Sequence, residues 1–141
     1  YFIVLRRNEF NEPMDGIVYG VTVSLGFATF ENYDYVFRWA EEWGVDPYQM
    51  AIWRSYSAVP MHGLMGCIMG FYFGMYAFSA NKKYLILSLI IPFFLHGFYN
   101  FFGYPINIMI VVGMLTLAII LHSKLKKLQD IKKTEQEKLK I

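Results

Sequence analysis

Four long apolar stretches, separated by short clusters of charge and turn residues, constrain this chain more than any other feature. A helix needs about 20 predominantly apolar residues to cross a bilayer, because each residue rises ~1.5 Å across a hydrocarbon core of ~30 Å. Gly16 to Phe37, Ser55 to Phe78, Tyr84 to Phe102 and Ile106 to His122 come close to that length. Polar or turn signals bound them: Glu12-Pro13 and Asp15 before the first, Asn81-Lys82-Lys83 between the second and third, Gly103-Tyr104-Pro105 between the third and fourth. Only 17% of residues are charged, against roughly 25% in soluble domains, and nearly all of these sit in the clusters. The sequence therefore predicts an all-α, polytopic transmembrane helix bundle with four complete spans (16–37, 55–78, 84–102, 106–122).

The opening predicts part of a fifth helix. Tyr1 to Leu5 is apolar and Arg6-Arg7 follows it, the reverse of the charged region that precedes the apolar core of a signal peptide. This order suits the last turns of an earlier helix. Two regions follow: a bundle over 1–122 and a basic helical tail over 123–141. The lone Cys67 rules out a disulfide within the chain and any cysteine-based metal cluster.

Basic residues set the expected orientation, since the cytoplasmic side retains them. Arg6, Arg7, Lys82, Lys83 and the seven lysines from Lys124 onward fall on one side of the four-span scheme, and only Arg38 and Arg54 on the other. Both visible ends are thus expected in the cytoplasm of a cell membrane. Trp39, Trp43 and Trp53 suit an aromatic belt at the outer interface. The tail, free of turn residues, should continue the fourth helix; anionic lipids are a partner for its lysines, each contributing about 1 kcal/mol near the surface, and a plain solvated extension is the simpler reading. No nucleic-acid signature is present.

Ionisable groups inside a bilayer are costly and usually face a bundle interior where they serve a function. Glu31, His62 and His96 fall at one level, ~9 to ~12 Å below the outer ends of three spans at 1.5 Å per residue. Asn100 follows His96 by one turn and shares its helical face. Small-residue stripes indicate which faces meet: Gly16, Gly20, Ser24 and Ala28 lead to Glu31 and Asn32, and His62 leads to Gly66, Gly70 and Gly74. Each polar residue also has a structural reading, a group hydrogen-bonded across helices. Asp34 lies near the interface, where solvation is cheap, and His122 adjoins the lysine cluster as a surface residue.

Two neutral imidazoles and a carboxylate can hold a divalent metal, most naturally zinc, with one position open. A nearby glutamate can act as general base, and Asn100 can donate a hydrogen bond to an oxyanion. The same two histidines could instead be axial ligands of a haem in a membrane cytochrome, or the cluster could be a proton or ion relay in a transporter.

At these residues the chain resembles the PrsW family of intramembrane proteases, relatives of the CAAX-prenyl protease and bacteriocin-processing membrane proteins. The matching blocks are Asn11 to Asn32 (NEPMDGIVYGVTVSLGFATFEN), Pro60 to Gly70 (PMHGLMGCIMG) and His96 to Asn100 (HGFYN). The resemblance implies metal ligation by His62 and His96, catalytic assistance by Glu31 and Asn100, and a membrane-protein substrate cut near the extracytoplasmic side, an anti-sigma factor in the family's signalling role. The family's Glu-Glu-x-x-Lys motif would fall upstream of Arg6-Arg7, before Tyr1. The expectation is therefore a C-terminal portion of a longer prokaryotic protein, inactive by itself, and a non-catalytic homologue is the competing reading.

Overall fold

The computed structural model describes residues 8–103 and 105–138, and every element within this range is a helix. The first helix, α1 (Pro13–Asp34), starts where Pro13 fixes a helical φ and the Asp15 carboxylate accepts from the backbone N–H groups of Asn11 (2.9 Å) and Glu12 (2.8 Å). It passes into a π-helical turn, Tyr35–Trp39, and a last turn, Ala40–Glu42. A short helix α2 (Pro47–Tyr56) follows, capped by Asp46, which accepts from Gln49 N–H at 2.9 Å. The remaining helices are α3 (Ala58–Ser79), α4 (Lys82–Phe101) and α5 (Ile106–Lys138).

Three stretches are long and apolar enough to cross a membrane: Pro47–Ser79, Lys82–Phe101 and Ile106–Ile131. The expected first span is not among them, although α1 has 22 residues. It spends hydrophobicity on Gly16, Gly20, Ser24, Thr22 and Thr29, and carries Glu31 and Asp34. The expected second span also begins earlier, because the Asp46-Pro47 helix start lies inside what the sequence offered as a loop. Ser57 interrupts that run: Pro60 has no N–H for the Tyr56 carbonyl, and its ring crowds it. The last helix runs 33 residues, Ile106–Lys138. The helix end read from Tyr1 to Leu5, together with Arg6 and Arg7, lies outside the described residues.

Helix α3 is central and packs against each of the other long helices. Against α1 the two backbones run almost in contact. A Cβ added to Gly66 would meet the Gly20 carbonyl and the Val21 Cα at 2.7 Å, and one on Gly16 would lie 2.8 Å from the Gly74 Cα. Ser24 fastens the seam, donating its hydroxyl to the His62 carbonyl at 2.7 Å. Against α5 the contact is conventional: Met114, Ala118, Leu121 and Leu125, spaced by four and three residues, bury one stripe, and the core joins them to Ile17, Met61, Met65, Ile68 and Phe71.

The helices alternate in direction. The start of α1, the Ala80-Asn81 hairpin and the lysine-bearing half of α5 lie at one end, where Gln129 donates to the Glu12 carboxylate. Glu31 and Arg54 lie toward the other end.

Candidate functional site

Helices α1 and α4 flank α3 and leave a cleft above it, and the polar residues of three helices converge at one end of this cleft. His62 enters from the first turns of α3, 2% exposed, held in place by the glycine seam just below it. Its Nε2 lies 3.2 Å from Oε2 of Glu31. His96, on α4, places Nε2 at 3.6 Å from Oε1 of the same carboxylate. The two imidazole rings are 5.2 Å apart between centroids, and Phe27 packs against both, at 5.6 Å from His62 and 6.1 Å from His96.

Glu31, His62 and His96 thus bring one ligand atom each within 4.8 Å of one another. The donor set suits a divalent metal: two nitrogens and a carboxylate oxygen. A second observation agrees with that fit, because Nε2 of His96 is buried and has no hydrogen-bond partner. A buried polar atom without a partner costs about 1–3 kcal/mol, which a bound ion would remove.

Not every residue singled out from sequence joins the cluster. Asn100 lies one turn beyond His96 on α4, exposed, with no hydrogen bond to the three. Asp34 pairs with Arg38 at 3.2 Å on the surface, and His122 is exposed on α5. The residue sequence reasoning missed is Arg54. Counted from sequence only as an outer-side basic residue just before the second span, it is 9% exposed and reaches from α2 into the cluster. Its Nη2 is 2.5 Å from Oε2 of Glu31 and its Nε 2.5 Å from Oδ1 of Asn32, while its Cζ lies 3.6 Å above the Tyr35 ring centroid. The Asp46-Pro47 helix start signals that Arg54 lies on a helix, but not where that helix is directed.

Beside the imidazoles the cleft holds a cavity of about 320 Å³, lined by Ser24, Phe27, Met65, Pro92 and Phe93 as well as both histidines. Val23 and Met69 are shared with a second, apolar cavity of about 390 Å³ that runs on toward Tyr19, Leu85 and Ser88. Both histidines line the first and neither lines the second, a largely apolar extension of the same cleft.

A helix bundle with a Glu-His-His cluster set among membrane-length helices defines a class: integral membrane proteins with a candidate metal centre at helical depth. Residues 1–123 match the family described as PrsW family intramembrane metalloprotease, and the chain belongs to this family. Protease PrsW of Geobacillus kaustophilus is 46% identical over 102 residues, 71% of this chain and 42% of the relative. Protease PrsW of Bacillus subtilis is 48% identical over 101 residues, 70% and 43% respectively, and that of Shouchella clausii 34% identical over 133 residues, 90% and 59%. The chain spans about two fifths of the length of the first two relatives. No solved structure matches it.

Proposed function

We propose that this cluster serves the hydrolysis of a peptide bond in a membrane-protein substrate. The observation that carries the reading is the convergence of Glu31, His62 and His96 from three separate helices on one point, in a chain whose relatives bear the name protease. His62 and His96 would hold a divalent metal, zinc by preference for this donor set, and Glu31 would complete the ligation through the oxygen that faces His96. When bound, such an ion supplies Lewis acidity that polarises the scissile carbonyl.

The remaining residues act around that point. Phe27 packs its ring beside both imidazoles and would limit the directions from which water reaches them. Asn100, exposed one turn from His96, would donate its amide N–H to the oxyanion as the carbonyl is attacked. Glu31 lies between the histidines and Arg54, which suits it to ligation and positioning better than to free proton transfer. The lysine-bearing end would face the cytoplasm and anionic lipid, placing the cluster toward the extracytoplasmic side, with Pro13–Asp34 as a fourth span. An anti-sigma factor is the substrate that family resemblance suggests.

Haem ligation is disfavoured by the same geometry. A macrocycle would have to lie between the imidazoles, where the Glu31 carboxylate sits within 3.2 Å of one Nε2 and 3.6 Å of the other. Expression of the natural protein with a membrane-tethered substrate in bacterial cells tests the proposal. His62→Ala should abolish cleavage and remove the metal found by elemental analysis of the purified protein. Cleavage at the wild-type rate in His62→Ala would sink the assignment.

A further inference from the structure

Arg54 is the one cation buried against the cluster among the described residues, and its surroundings are specific. Three partners come from consecutive turns of one helix: Glu31 and Asn32 at the end of α1, and Tyr35 at the start of the π-helical turn. A buried guanidinium is costly unless its N–H groups are matched. Here Nη2 takes the carboxylate, Nε takes the amide oxygen, and the flat face lies on an aromatic ring, an arrangement a planar fork can satisfy and a point charge cannot.

The consequence falls on Glu31. Its two oxygens have different neighbours: Oε2 faces Arg54 and His62, and Oε1 faces the partnerless Nε2 of His96. A carboxylate free to rotate would present either oxygen, or both, to an ion. With Oε2 engaged by the guanidinium, Oε1 is the oxygen free of strong hydrogen bonds and the better placed for ligation. Arg54 is also the site's only tie to α2 among the described residues, so the orientation of Glu31 depends on that short helix being docked.

We propose that Arg54 is a positioning residue that fixes Glu31 as a one-oxygen metal ligand by holding its other oxygen. This rests on reading Glu31, His62 and His96 as a metal centre. The test uses the chain in detergent micelles with Co²⁺ as the probe, following both affinity and the visible absorption of the bound ion. Arg54→Lys keeps the charge but loses the fork, and should weaken Co²⁺ binding by about 10–100-fold, the range typical when a group orienting a ligand is removed. Its absorption spectrum should also change as Glu31 turns. Asn32→Ala, which removes one of the fork's two anchors, should fall between wild type and Arg54→Lys. Wild-type affinity and an unchanged Co²⁺ spectrum in Arg54→Lys would overturn the inference, even if that variant melts at a lower temperature. If Arg54→Lys does not fold, Asn32→Ala decides by the same two readings. Failure of the wild-type chain to bind Co²⁺, or full binding by His62→Ala and His96→Ala alike, would instead overturn the metal reading, and the role of Arg54 with it.

Discussion

The seam between α1 and α3 and the face of α4 across the cleft are built on opposite terms, and each contributes to the same cluster. Along the seam, small residues let two backbones touch, and half of the most apolar stretch of Pro47–Ser79 is buried (50%). The corresponding stretch of α4 is 6% buried, with Leu89, Phe93, Phe94 and Phe101 turned outward. Glu31 and His62 therefore sit on a closely packed pair, whereas His96 and Asn100 ride on a helix that packs on α3 along one face and leaves most of its surface open. In a membrane, close packing rather than water exclusion holds helices together. The difference teaches that one half of the candidate site is set by backbone contact and the other by side-chain packing along a single face of α4.

The strongest way to break this contrast is to fill the seam. A Cβ at Gly70 would lie 2.6 Å from the Ile17 Cα, and both are backbone-bound positions that cannot swing aside. Gly70→Leu should exceed the ~1–3 kcal/mol typical of overpacking and abolish the folded state in micelles, read as loss of the cooperative transition in circular dichroism. A transition within a few degrees of wild type would show that the two helices separate cheaply.

The two histidines give the next largest effect and sharpen the comparison. His62→Ala and His96→Ala should each lower Co²⁺ affinity by more than about 100-fold, beyond the range for groups that only orient ligands. They should differ in stability. His62 is 2% exposed within the packed pair, so its truncation should also lower the melting temperature; His96, with its side chain 28% exposed, should lose binding at nearly constant melting temperature. Equal melting shifts in both would mean that α4 is as firmly fixed as the seam.

A smaller effect lies at the joint between the two regions. Ala80 ends α3 with φ 55°, a left-handed conformation that costs an L-residue roughly 1–2 kcal/mol. Ala80→Gly should recover about 1 kcal/mol, seen as a higher melting temperature, without changing Co²⁺ affinity.

How much of this was legible in the sequence follows the same division. The seam was readable because close approach demands small residues at every fourth position, and Gly16, Gly20, Gly66 and Gly70 supply them in both helices. The convergence of Glu31, His62 and His96 followed from depth, since each span measures position from its own end. Arg54 was hidden. Only the tertiary fold brings it back 23 residues to Glu31, and a charge beside Trp53 at the edge of an apolar run has the same pattern whether it is solvated or folded inward. Asn100 shows the converse: helical spacing gave its face, but whether that face meets the cluster depends on how α4 turns against α3, and Asn100 is left exposed.

The smallest effect is the most diagnostic for α4. A Cβ added to Gly97 meets nothing within 4 Å, unlike one on any glycine of the seam. Within an unburied helix the substitution should act through backbone entropy alone, so Gly97→Ala should be neutral or stabilising by up to about 1 kcal/mol. The informative measurement pairs that melting curve with cleavage of a membrane-tethered substrate. Unchanged or improved stability with unchanged cleavage would make Gly97 a bystander on a lipid-facing surface. Improved stability with reduced cleavage would mean that something approaches the α4 backbone at this point, beside His96, as closely as α1 approaches α3, and that the open side of the cleft is packed only when the protein is at work.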